Sequence, residues 1–354
     1  MKHIRTKTAL MTVITVLIVL LAVIAVLAVA IGPVPVPVEK VIAVLKDVFF
    51  HQTTPDAYSQ SQYHIIWNIR MPRIVMSMIS GSGLALSGTV MQAVVRNPIA
   101  DPYILGVSSG ASTGAAIALL FPSAVLFHGG VSVTVMAFLG AMLASVVVYS
   151  LSYSRESRSI NPTSLILAGT AVSAILSAIT NLFIFMAQNK DSISSIYYWQ
   201  MGSLASSQWT DIPLPAVIVV LGCVIILLYT KKMNLLMIGE EDAYALGLNI
   251  KAVRLVLMVC SSFMVASIVA NTGIIGFVGL MIPHIVRLIV GSDNRKVVPL
   301  SALTGGIFLI LADTAARTVF GSTELPIGIV TAFTGAPFFL YLMKKKKYTF
   351  GGKR

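Results

Sequence analysis

The chain has 354 residues, of which 56% are hydrophobic and only 11% charged, with 25 Lys and Arg against 13 Asp and Glu. A soluble domain carries about a quarter charged residues. With a mean hydropathy of +0.89, this composition therefore excludes an ordinary water-soluble protein and specifies an integral membrane one.

A bilayer-spanning helix takes about 20 apolar residues, and the sequence predicts ten such segments: 8–31, 73–95, 104–121, 131–151, 163–187, 212–230, 253–272, 274–290, 298–320 and 326–343. Helices are expected because backbone polar groups in lipid must pair within the segment, and the alternation of a barrel strand is missing. The expected fold class is all-α, a polytopic membrane protein with about ten transmembrane helices in a single domain over 1–354. The first segment follows "MKHIRTK", and Ala28-Val29-Ala30 imitates a signal cleavage site. Its run from Thr8 to Ile31 exceeds the ~7–15 residues of a signal core, so an uncleaved span is expected. Only Asn271-Thr272-Gly273 separates the seventh segment from the eighth.

Lys and Arg set the orientation. With a cytoplasmic N-terminus, 19 of them fall inside and six outside, the latter being Lys40, Lys46, Arg70, Arg73, Lys190 and Arg317. Both termini are then cytoplasmic. The tail "KKKKYTFGGKR" needs an anionic lipid leaflet, not a nucleic acid, to account for its charge.

In chain order, the first outside loop holds "VPVPVEKVIAVLKDVFF", with Val38, Val41, Ile42, Leu45, Val48 and Phe49 on one helical face and Glu39, Lys40, Lys46 and Asp47 opposite. This pattern fits an amphipathic helix in the membrane interface and equally one packed on the protein. "GVSSG" at 106–110 imitates a nucleophile elbow, but that motif has meaning only at a strand-turn-helix of an α/β sheet. Gly106, Gly110 and Gly114 recur every four residues, which instead predicts close helix packing. The fifth segment carries Asn181 with Thr180, Ser177 and Ser173, a polar stripe that suits either packing or a water-filled path. The second outside loop brings Tyr197, Tyr198, Trp199 and Trp209, an aromatic belt or the mouth of a path.

Between segments six and seven, "GEEDAYALGLNI" places Glu240, Glu241 and Asp242 together. Acids suit a first helical turn, Gly247 can end that turn, and Asn249 can cap a second short helix. The eighth segment contains His284 and the ninth Asp313 and Arg317, four apart on one face and able to pair. The sequence has neither a phosphate-binding G-x-x-x-x-G-K-[ST] nor H-E-x-x-H. Cys223 and Cys260 lie in apolar runs and read as packing residues, so no metal site is expected.

Four ordered stretches resemble the BtuC/FecCD-type permeases of ABC importers: "MPRIVMSMISGSGLALSGTVMQAVVRNPIADPYILGVSSGAS" (71–112), "GEEDAYALGLNI" (239–250), "GIIGFVGLMIPHIVRLIVGSDNRKVVPLSAL" (273–303) and "LADTAARTVFGSTELPIGIVTAFTGAPFFLYL" (311–342). The likeness covers about residues 60–343. It implies a non-catalytic subunit of an ATP-driven importer in the cell membrane, for an iron chelate such as a ferric siderophore or haem, or alternatively for cobalamin. It implies a second permease subunit, identical or homologous, and separate ATPase subunits that carry ATP and Mg. It further implies an extracytoplasmic binding protein that delivers the substrate, and no cofactor bound by this chain itself. Residues 237–252 would form cytoplasmic coupling helices on the ATPases, through Gly239, Glu240, Glu241, Asp242, Ala243, Leu246 and Gly247. Arg70, Arg73 and Arg317 would meet the binding protein, and Ser177, Thr180, Asn181, Thr331 and Thr334 would line the path. The competing readings are an ion-coupled secondary transporter using Asp313 and an intramembrane enzyme built on Ser108 or Ser109.

Overall fold

A computed structural model describes residues 7–51, 57–121, 130–154, 159–187, 189–321 and 323–345. The basic residues Lys2, Arg5, Arg155 and Arg158 and the tail beyond Lys345 lie outside the described residues.

The helices are, in order, α1 (Lys7–Ala30), α2 (Val38–Phe50), α3 (Gln60–Tyr63), α4 (Met71–Val95), α5 (Val107–Leu120), α6 (Gly130–Ser152), α7 (Pro162–Met186), α8 (Lys190–Gln200), α9 (Pro213–Ile238), α10 (Glu240–Ala245), α11 (Ile250–Thr272), α12 (Val278–Val290), α13 (Asn294–Thr318) and α14 (Ile327–Lys345). A π-helical stretch, His64–Arg70, joins α3 to α4, so one helical rod of 36 residues runs from Gln60 to Val95. A hairpin of two-residue strands, Tyr153–Ser154 and Ser159–Ile160, precedes α7.

Each of the ten expected segments contains a helix, and among the described residues seven helices are long and apolar enough to cross a membrane. Two of the others are shorter than expected, Val107–Leu120 and Val278–Val290, while α14 spans its expected segment from Ile327 to Lys345. The reason is plain in the eighth segment, where residues 274–277 leave the helix and Phe277 takes a left-handed φ of 68°. Non-helical backbone is tolerated at membrane depth where protein buries and bonds it. Here Tyr103 Oη donates to Ile275 O at 2.9 Å and accepts from Ile275 N at 3.2 Å. An apolar run alone does not distinguish such a segment from helix.

The core is organised around α4, which is buried along most of its length. Its "SGSGLALSG" lets neighbours approach to backbone contact. A Cβ at Gly81 would strike the Gly305 carbonyl of α13, and one at Gly88 the Gly279 carbonyl of α12. The same device joins α5 to α6, because a Cβ on Gly110 or Gly114 would collide with the carbonyls of Gly140 and Met136. Gly106 does not share this role. It sits ahead of α5 at φ +73° and a Cβ there would meet only ordinary contacts. A smaller apolar cluster packs the end of α1 and Val41 and Val44 of α2 against Ile66, Ile74 and Ile310. One face of α2 is thus covered by protein, while Phe49 and Phe50 remain exposed.

Candidate functional site

The acidic segment forms a short helix at the end of α9, which continues through Lys231 and Lys232 to Ile238. Gly239 makes the corner at φ +152°, a region essentially restricted to glycine. Glu240, Glu241 and Asp242 then occupy the first turn of α10, where free backbone amides favour negative charge. Its end is a Schellman motif: Leu248 N donates to Ala243 O at 3.0 Å and Gly247 N to Tyr244 O at 2.9 Å. Asn249 caps the long α11 through Ala252 N, at 3.0 Å, and not a second short helix. The 237–252 stretch therefore holds one short helix and the start of a span.

The residues of this loop point in two directions. Ala243 and Leu248 are buried, whereas Glu241, Asp242, Tyr244 and Leu246 are exposed. Glu240 turns inward. Its Oε1 accepts from Arg254 Nη2 at 2.6 Å and lies 3.5 Å from Arg96 Nη2. Arg254 is 1% exposed, and its Nη1 also donates to Ile160 O at 2.9 Å. Between α12 and α13, Asp293 caps α13 and bonds Arg295 and, on α9, Asn234. Burial pushes its carboxyl up, but the hydrogen bonds from Arg295 and Asn234 prevail and hold it at about 2.

Arg70, Arg73 and Arg317, expected to face a partner, are buried at 5%, 5% and 2% exposure. Arg73 Nε donates to Asp313 Oδ1 at 2.8 Å, and its Nη1 to Glu324 Oε2 at 2.8 Å. Arg317 Nε lies 3.2 Å from Asp313 Oδ2. Arg70 and Arg317 also donate to the last carbonyls around the C-terminus of α1: Arg70 to Val29, Ala30 and Val34, and Arg317 to Ala28 and Ile31. Two cations thus satisfy orphan carbonyls at the negative end of a helix dipole. Asp313, fully buried, keeps its counter-ions Arg73 and Arg317 in the core.

The expected path residues divide as well. Thr180 is buried and bonds Thr113 Oγ1 at 2.9 Å, and Thr331 is buried against its own helix. Ser177, Asn181 and Thr334 are exposed. Sequence reasoning missed Glu324 and Arg254. Glu324 stands in an apparent loop, and Arg254 looks like an ordinary basic residue at a span end, with no spacing that links it to Glu240.

Comparison with known proteins agrees with this architecture. The model of the FecCD transport family matches residues 18–345. The chain is 44% identical over 284 residues to the cobalamin import system permease protein BtuC of Halobacterium salinarum, covering 80% of this chain and 74% of that one. It is 35% identical over 290 residues to the hemin transport system permease protein HmuU of Yersinia pestis, covering 82% and 86%. A solved structure described as an inward-facing conformation of a metal-chelate type ABC transporter superposes with a TM-score of 0.82 at 32% identity, covering 95% of this chain and 99% of that one. The chain therefore belongs to the FecCD transport family, as a multi-pass permease subunit of an ABC importer in the cell membrane that leaves ATP hydrolysis to separate subunits.

Proposed function

We propose that this subunit carries an iron chelate, a ferric siderophore or haem, into the cell. The observation that carries this reading is on α7. Thr170, Ser177 and Asn181 are exposed there at i, i+7 and i+11, on a helix without a single charge. Such a stripe in a membrane helix belongs against protein or water. With Thr334 of α14 it would line a path completed by a second permease subunit. Neutral, short side chains offer a bulky chelate few strong sites in which to be trapped.

In this reading both termini are cytoplasmic, and α10 presents Glu241, Asp242, Tyr244 and Leu246 to an ATPase subunit that binds ATP and Mg²⁺. A binding protein delivers the chelate on the opposite face. Nucleotide at one end and loaded binding protein at the other bias one conformational equilibrium. The 44% identity to a cobalamin permease favours a second reading, in which the cargo is a corrinoid.

The test is reconstitution of the permease with its ATPase and binding protein in liposomes. ATP-driven uptake of haem or a ferric siderophore is expected. Uptake of cobalamin alone would select the second reading, and uptake driven by a proton gradient without ATP would refute both.

A further inference from the structure

We propose that Arg254 is the positioning residue through which movement of α10 reaches α7; this rests on the reading of α10 as the ATPase contact. One guanidinium joins the two elements. Its Nη2 holds Glu240, the first residue of α10, and its Nη1 holds the carbonyl of Ile160. Ile160 is the residue before Asn161, whose side chain caps α7 through Thr163 N at 2.8 Å. The fork therefore ties the start of the short helix to the start of the proposed path helix.

Among the described residues, open space and not packing faces this link on its exposed side. A groove of about 570 Å³ separates the two helix starts there, with Arg96, Met237 and Glu240 on one side and Asn161, Pro162 and Thr163 on the other. Its lining is mainly polar side chains and helix ends, so α10 does not press on α7 across it. Arg254 does not line this groove and is only 1% exposed.

Stability alone gives a poor account of this residue. Among the described residues its Nε is buried without a hydrogen-bond partner, and the carboxylate it pairs with is 37% exposed. Leaving a buried donor of a charged group unmatched is costly. A well-packed apolar side chain of similar volume often serves stability as well or better. The fork, by contrast, reaches two acceptors in fixed directions, which lysine's single ammonium does not reproduce.

The test uses the full complex in liposomes, with haem, a ferric siderophore and cobalamin as probes, and measures molecules taken up per ATP hydrolysed. In Arg254→Met the side chain still fills its site and Glu240 remains solvated beside Arg96, so the permease is expected to melt close to wild type. Uptake per ATP is expected to fall by at least about five-fold, the lower end of common coupling effects. Arg254→Lys is expected to fall similarly, with ATPase subunits still copurifying. Glu240→Ala, which removes the acceptor, should show the same loss, and the double variant Glu240→Ala with Arg254→Lys should be no worse than the poorer single, because both break the link between Arg254 and Glu240. Wild-type uptake per ATP in the Arg254 variants, or losses that multiply in the double variant, would overturn the proposal. If the Arg254 variants fail to assemble, Glu240→Ala decides, and wild-type uptake per ATP in it counts against the relay. ATPase retention that ignores Tyr244 and Leu246 would instead refute the ATPase contact itself, a separate measurement.

Discussion

Arg73 Nε donates to Asp313 Oδ1 at 2.8 Å across 240 positions of chain, and Arg317 meets the other carboxylate oxygen of the same residue. One fully buried carboxylate is thus shared by two guanidiniums, with Glu324 as the second anion on Arg73, while Arg317 also holds the end of α1. The arrangement binds α1, α4, α13 and the turn before α14 into one cluster. It accounts for a lone acid in the ninth span without a proton relay.

Asp313→Asn is therefore expected to act on stability. Removing one partner of a buried pair costs about 3–5 kcal/mol, because two buried cations lose their counter-charge. The check is thermal unfolding of the purified permease in detergent. A variant that unfolds like wild type but loses a proton-driven uptake would revive the ion-coupled alternative.

A second prediction concerns the contact of α5 with α6. Gly114→Leu places a side chain against the Met136 carbonyl, and overpacking costs about 1–3 kcal/mol. Gly276→Ala is the control, since no atom lies within 4 Å of a Cβ there. Melting curves should show a clear fall for the first and almost none for the second.

The exposed side of α10 makes a third. Tyr244 is 77% and Leu246 64% exposed, so alanine at either should change the stability of the isolated permease by no more than about 0.5 kcal/mol. Copurification of ATPase subunits should nevertheless weaken, because large apolar side chains at the centre of a contact commonly carry its binding energy. Charge reversal by Glu241→Lys with Asp242→Lys should weaken it further.

Acid sensitivity provides a fourth. Asp293 has its carboxyl held at about 2, below its ordinary value near 4. Its contribution is complete above the ordinary value and is lost as the pH falls from about 4 through 2. Solvent screening limits it to the order of 1 kcal/mol. Asp293→Asn should lower the melting temperature at neutral pH, and the gap to wild type should close on acidification below about 3.

How much of this was legible beforehand depends on the range of the interaction. Ten apolar segments, the first turn of acids in α10 and the spacing of Gly110 and Gly114 are written locally, because hydrophobic run length, helix dipole and small-residue repeats act within a few turns of chain. They determined an all-helical membrane protein with a short polar helix between the sixth and seventh spans. Tertiary structure decided the rest. It broke the helix at 274–277 where Tyr103 supplies the missing hydrogen bonds, and made Asn249 the cap of a span. It also turned Arg70, Arg73 and Arg317 inward and joined Glu240 to Arg254. A buried charge must find its partner wherever the fold brings one, and no local pattern records that Arg73 will lie against Asp313.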